Sequence, residues 1–199
     1  MDTLYNSVGM VRYSVSDRLA ERRLRSGGSP DRVAVVFDGD TEPSTVRDFY
    51  VWCDEFGVGT ATACIPDADE EYRDRLEDVL CDLKPAVQFT DGTEEIEDAE
   101  RVLSYIGGRE EVVGALRRLA EDVEEGKVRF DEVGFDEVES HLAVPGEPDL
   151  VVDTTEDGLS DVLVWQTVYS ELCRVEEFDR TTFVRCLDDY RKRERRFGR

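Results

Sequence analysis

Lysine is almost missing from this chain of 199 residues: only Lys84, Lys127 and Lys192 occur, so arginine supplies nearly all of the 25 basic side chains. Against them stand 48 aspartates and glutamates, for a net charge of −23. A field of that sign repels phosphate backbones, which excludes general nucleic-acid binding. It reads as solvation of the surface in a salt-saturated cytoplasm, where screening removes the self-repulsion. Histidine is as scarce. His141 stands alone with no cysteine or carboxylate at ligand spacing, reads as structural, and leaves no Ser-His-Asp or Cys-His catalysis. The five cysteines (Cys53, Cys64, Cys81, Cys173, Cys186) contain no Cys-x-x-Cys pair and read as small buried apolar side chains. No apolar run reaches the ~20 residues of a membrane span, and the N-terminus has no signal-peptide centre, so a cytoplasmic protein is expected. Repeats and low-complexity linkers are absent as well, and the length suits one domain with its own core.

What is present alternates between two periods. Residues 5–30 read as an arginine-rich helix closed by Ser26-Gly27-Gly28-Ser29-Pro30, a helical extension over residues 1–30 that packs outside the main domain, residues 31–199. Residues 33–37 are continuously apolar, as a central parallel strand is, and end in Asp38-Gly39-Asp40. Val46, Phe49, Tyr50 and Cys53 form a helical stripe that stops at Gly57. Strands are expected over 58–65, 86–89 and 102–106, and a helix over 72–83. A further helix follows Gly107-Gly108, with Val112, Val113, Leu116, Ala120 and Val123 inward and Gly126 at its end. Residues 90–100 read as an acidic loop or short helix. Such alternation predicts a single α/β domain with a mainly parallel central sheet flanked by helices. In such sheets ligands sit beyond the carboxyl ends of the strands, which makes Asp38 and Gly39 candidates for function.

The C-terminal quarter is the most informative. Leu150-Val151-Val152 reads as a buried strand ending at Asp153. Ser160 and Asp161 suit the cap of a helix carrying Val162, Trp165, Gln166 and Tyr169, with Glu171 just beyond. A last helix over about residues 181–195 presents Phe183, Leu187 and Tyr190 on one face and runs into six basic residues among the final nine.

Pro148-Asp149-Leu150, Ser160, Leu163, Trp165-Gln166, Tyr169-Ser170-Glu171-Leu172, Tyr190 and the tail Arg193, Arg195-Arg196-Phe197-Gly198 occur in the order that marks one family. The chain resembles the cis-prenyltransferases, the undecaprenyl diphosphate synthase family. That family's block runs Pro-Asp-Leu, an Arg-Thr-Ser-Gly loop, Ser-Asn, Leu-Trp-Gln, Tyr-x-Glu-Leu and Arg-x-x-Arg-Arg-Phe-Gly. Residues 33–39 are similar to its first motif, with Asp40 for the usual Asn. Residues 105–115, YIGGREEVVGA, are similar to its Tyr-Gly-Gly-Arg-x-Glu-Ile-Val-x-Ala, and residues 135–142 to the segment before Pro-Asp-Leu.

The resemblance implies an undecaprenyl diphosphate synthase-like fold and cis-elongation of isoprenyl diphosphates. It implies Asp38 as the essential aspartate, Asp38 and Glu171 together on Mg²⁺, and Gly39, Ser160, Arg196 and Gly198 in substrate binding. Elongation also needs cationic donors for two diphosphates, and these are largely replaced. Residues after Asp40 are cut short, and Asp153-Thr154-Thr155-Glu156 stands where the family has Arg-Thr-Ser-Gly. Only Arg196-Phe197-Gly198 survives, the tail that in this family reaches across a dimer to the partner's site. The expectation is an eroded subunit, in a homodimer or a heterodimer with an active paralogue, cytoplasmic and in peripheral contact with a membrane surface. The alternatives are a weakly active transferase using Asp38, Glu171 and Mg²⁺, a lipid- or diphosphate-binding module without chemistry, and a phosphohydrolase built on Asp38-x-Asp40. For the last, Thr41 stands one position early and Lys84 has no supporting context.

Overall fold

Six short segments pair in one sheet, all of them parallel; the four inner ones are largely buried and the two outermost are half-exposed. The computed structural model describes residues 15–88, 99–142, 144, 146–155 and 163–193. The strands are β1 Arg32–Val36, β2 Thr60–Cys64, β3 Ala86–Gln88, β4 Arg101–Ser104, β5 Leu150–Asp153 and β6 Glu171–Arg174, and they lie in the order β3-β4-β2-β1-β5-β6. The helices are α1 Val15–Leu24, α2 Pro43–Phe56, α3 Glu70–Leu80, α4 Gly108–Glu124, α5 Phe135–Ser140 and α6 Arg180–Lys192, with 3-10 turns at Phe130–Glu132 and Gln166–Tyr169. Parallel strands need crossovers, and α2, α3 and α4 supply them, as the alternation predicts. Residues 90–98 of the expected acidic loop and Ser160 lie outside the described residues.

β1 occupies an interior position, and its alternating side chains serve two cores. Val33, Val35 and Phe37 point into the larger one, under α1, α2, α3 and α6, while Ala34 and Val36 join Cys64, Val144, Val151 and Leu163 on the opposite face. α2 begins at a proline in its first turn and stops at Gly57, whose φ of 71° is the left-handed conformation a β-carbon disfavours. Its Phe49 is fully buried at the centre of an aromatic cluster, with ring centroids 5.2 Å from Tyr50, 5.7 Å from Phe183 and 6.1 Å from Phe37. Tyr50 donates from its buried hydroxyl to the Val102 carbonyl at 2.6 Å, so its polar end is satisfied. α3 and α6 are capped by Asp69 and Asp179, which accept from Tyr72 N and Thr182 N at 2.7 Å each.

The amino-terminal helix does more than lie on the outside. Ala20 and Leu24 of α1 enter the main core, and buried Asp17 accepts from Arg185 Nε of α6 at 3.0 Å. Arg180 extends the same seam, reaching Glu21 of α1 and Glu55 of α2. The Arg180 hydrogen bond, helped by Arg25, holds Glu55 below its ordinary value of 4.5. A carboxyl depressed in the folded state contributes stability that is present above its unfolded pKa and lost as pH falls through its folded one. Thermal melts should therefore lose stability on acidification below about pH 4.5, and Glu55→Gln should flatten part of that fall. An acid limb unchanged in Glu55→Gln would assign the loss to other carboxylates.

Four local expectations are corrected. α4 buries Gly108, Glu111, Ala115 and Leu119, whereas Val113 and Leu116, expected inside, are 46% and 49% exposed. The helix is rotated because Glu111 turns inward, where its Oε1 accepts from Val144 N at 2.8 Å and Gln166 Nε2 at 2.9 Å. The helix expected through residues 162–169 is, in its described part, a 3-10 turn after Leu163, whose φ of 52° interrupts an α-helix. The residues just beyond form a strand, β6, at the sheet edge. Cys53 and Cys64 are buried thiols as expected, but Cys81 is exposed and Cys173 and Cys186 form a disulfide. His141 does have a carboxylate near it in space, with Nε2 3.1 Å from Asp122 Oδ2 and Nδ1 2.6 Å from the Glu137 carbonyl, a tie between α4 and α5.

Candidate functional site

The carboxyl end of β1 is shaped by two close backbone approaches. Asp38 follows the strand in a turn in which Thr41 N–H donates to the Asp38 carbonyl at 3.0 Å. A β-carbon on Gly39 would lie 2.7 Å from the Asp67 carbonyl oxygen, so only glycine lets this turn sit against the loop after β2. Gly39→Ala should accordingly lower the melting temperature by about 2–8 °C, the effect of one or two kcal/mol in a chain of this size. An unchanged melt would show that the two loops part freely.

Next to it, the segment after β5 folds back onto β1. Thr154 donates from both N and Oγ1 to the Val36 carbonyl, at 3.1 and 2.9 Å. Asp153, 1% exposed, accepts through Oδ1 from Thr155 N at 3.0 Å and Thr155 Oγ1 at 2.7 Å. The loop is thus a self-satisfied turn around a buried carboxylate. Opposite Asp153 in the register stands Arg174 of β6, whose Nη2 donates to the Thr155 carbonyl at 3.3 Å. On the other side, beyond β4, the Arg73 guanidinium lies 4.7 Å from the Tyr105 ring centroid. Burial, partly offset by Arg73, pushes the Tyr105 hydroxyl up to about 12, and burial does the same to Tyr72. Gly107-Gly108 opens α4 at this end, with Gly108 so close to Val164 that a β-carbon would lie 2.8 Å from its Cγ2.

The carboxyl end therefore combines Asp38, Asp40 and the locked Asp153 with two cations that sequence reasoning did not single out. Arg174 became visible only through the parallel pairing of β6 with β5, which no local pattern reveals. Arg73 sits on an amphipathic helix where arginine is unremarkable.

Glu171 is elsewhere. It pairs with Leu150 of β5, which pairs with Val33 of β1, so it lies level with the amino end of the sheet. Asp38 comes five residues after Val33, and at about 3.3 Å per residue the two are separated by roughly 16 Å along the strands alone. Glu171 Oε2 is 3.4 Å from Arg193 Nη1 at the end of α6. A Mg²⁺ shared by Asp38 and Glu171 of one chain does not fit this geometry, because a strand's length separates them. Among the described residues no group of three or more His, Cys, Asp and Glu side chains could hold a metal ion. Lys84 precedes β3 and so also lies at the amino end, away from Asp38. That end carries a crevice of about 580 Å³ between Arg32, Asp149, Tyr190, Arg191 and Arg193. Arg196 and Gly198 fall outside the described residues, as does Ser160. No helix among the described residues is long and apolar enough to cross a membrane.

Comparison with known proteins meets this fold from three directions. The chain is 27% identical to a tritrans,polycis-undecaprenyl-diphosphate synthase (geranylgeranyl-diphosphate specific) of Pyrococcus horikoshii, over 249 aligned residues covering 94% of each chain. That alignment is longer than the chain, so the relative carries segments absent here. A synthase of the same description from Thermoplasma volcanium is 39% identical over 101 residues, 47% of this chain and 39% of its own. Among solved structures, lavandulyl diphosphate synthase from Lavandula x intermedia, in complex with dimethylallyl diphosphate, superposes with a TM-score of 0.66 at 20% identity, over 86% of this chain and 99% of its own, a likeness of fold. The family model described as "Putative undecaprenyl diphosphate synthase" matches residues 70–198, beginning after Asp38 and running through the C-terminal block. With well over half its length matched, the chain belongs to the undecaprenyl diphosphate synthase family.

Proposed function

We propose that this chain serves as a degenerate subunit of a heteromeric cis-prenyltransferase, pairing with an arginine-complete paralogue that elongates isoprenyl diphosphates. The observation that carries this reading is the loop after β5. Asp153, Thr154 and Thr155 stand at the place of an arginine loop, and they are bonded to one another and to β1 rather than poised for a ligand. A carboxylate there repels a diphosphate that guanidinium groups would hold. The filling of the space under α2 supports the same conclusion. Val46, Phe49, Tyr50 and Leu76 are fully buried there, in a closed core that leaves no cavity for a long apolar product among the described residues.

A partner fits the opposite face. Val113 and Leu116 of α4, Phe135 of α5, and Val164, Val168, Tyr169 and Leu172 along the sheet edge are all exposed, while the surface as a whole is strongly charged. Exposed apolar side chains on so charged a surface support an interaction site. A subunit in this role would place Arg196 and Gly198 of its tail in the partner's site. Asp38 alone would lend one carboxylate to a Mg²⁺ carried by diphosphate, and Glu171 would act only across the interface. Contact with a membrane surface would follow from the lipid product rather than from any anchor.

The test is co-expression with an arginine-complete paralogue, followed by size-exclusion chromatography with light scattering at high salt. A one-to-one complex is expected, and Leu116→Arg or Leu172→Arg should dissolve it without unfolding either chain, since both side chains are half exposed. A chain that stays monomeric beside every paralogue contradicts the reading.

A second reading has its own observation. Arg73 and Arg174 place two cations at the carboxyl end of the sheet, and a weakly active transferase could use them. It predicts measurable turnover by the isolated chain that Arg174→Ala removes.

A further inference from the structure

Strand β6 is held on one side only. It pairs with β5 and with no other strand among the described residues, and Leu172 and Arg174 on its outer face are exposed. Its inner face is fastened to α6 twice: by the disulfide between Cys173 and Cys186, with Cα atoms 6.0 Å apart, and by the ion pair of Glu171 with Arg193. α6 does not depend on these ties, because Phe183, Val184 and Leu187 are fully buried in the main core. The cross-link thus joins a firmly seated helix to an edge strand whose backbone is paired on one side only, along β5. The two sulfurs are unequal as well. Cys186 is 3% exposed, whereas Cys173 is only partly buried, which makes Cys173 the more accessible of the two to a small thiolate.

We propose that the Cys173–Cys186 bond is a reversible redox latch that fixes the edge strand β6 against α6. The reductant is a small dithiol. Its thiolate attacks Cys173 Sγ, the S–S bond breaks, and Cys186 leaves as a thiolate and takes up a proton. The second thiol then attacks the mixed disulfide, Cys173 leaves and is protonated, and the dithiol departs as a cyclic disulfide. Two electrons pass into the protein and two protons end on its sulfurs. A small disulfide reverses each step. Opening the latch frees β6, which carries Leu172 of the exposed apolar face, and leaves the core sheet in place.

The experiment measures thiols and amide exchange on the full chain. Purified without reductant and denatured, the protein should show three thiols (Cys53, Cys64 and Cys81), and five after treatment with dithiothreitol. In the native protein the dithiol should speed hydrogen–deuterium exchange in β6 at least tenfold, with exchange in β1 and in the core-facing part of α6 unchanged. Cys173→Ser should exchange like the reduced protein with or without dithiol, and Cys81→Ser should respond like wild type. Should Cys173→Ser fail to fold, the wild-type comparison still decides. Five thiols before reduction, equal β6 exchange in both states, or loss of the whole fold on reduction, which would make the bond a structural staple, each overturn the proposal.

Discussion

Given isopentenyl and farnesyl diphosphate with Mg²⁺ at high salt, the isolated chain should form polyprenyl product at least about a thousandfold more slowly than an arginine-complete family member. Each charge-assisted hydrogen bond to a diphosphate contributes about 1.5–3 kcal/mol, so losing three would remove roughly 4.5–9 kcal/mol, or about three to seven powers of ten in affinity. The structure adds a reason why the loss is not easily made good. Asp153 is buried and engaged by Thr155, so the loop cannot swing its carboxylate away without breaking its own bonds to β1. A labelled-substrate assay checks this, and product at rates near those of an intact enzyme would show that Arg73 and Arg174 have replaced the missing cations.

The second large effect is on stability. Phe49→Ala should cost about 3–5 kcal/mol and lower the melting temperature by roughly 6–20 °C. Phe49 has no exposed surface and lies against Phe37, Tyr50, Phe178 and Phe183, so its loss leaves a cavity that four rings held by separate elements cannot close together. Denaturant and thermal unfolding at fixed salt measure it. A shift under about 3 °C would mean that this region is loosely packed.

Much of the fold was legible because its signals are local. The apolar run ending at Asp38 is buried on both faces and so had to be an interior parallel strand, and Gly57 stops α2 where the stripe ends. What escaped depended on distant pairing. Glu171-Leu172-Cys173-Arg174 has a half-exposed alternation that only its place beside β5 turns into a strand, and with that strand came the position of Arg174. The inward face of α4 was misjudged because Glu111, a carboxylate, takes a buried position that hydrophobic periodicity assigns to valine and leucine; its partners Val144 and Gln166 are 33 and 55 residues away. The separation of Asp38 from Glu171 has the same origin. A motif lists residues in order, but the two ends of a parallel sheet are a strand's length apart.

The subunit assignment is tested most directly by adding this chain to an active paralogue and measuring elongation, first with the wild-type tail and then with Arg196→Ala. Activity should rise when the wild-type chain is added, and most of that rise should disappear with Arg196→Ala although the complex still forms, because in the proposed arrangement the guanidinium would add a donor to the diphosphate in the partner's site. An equal rise from both versions, or no rise in a complex that forms, would contradict it.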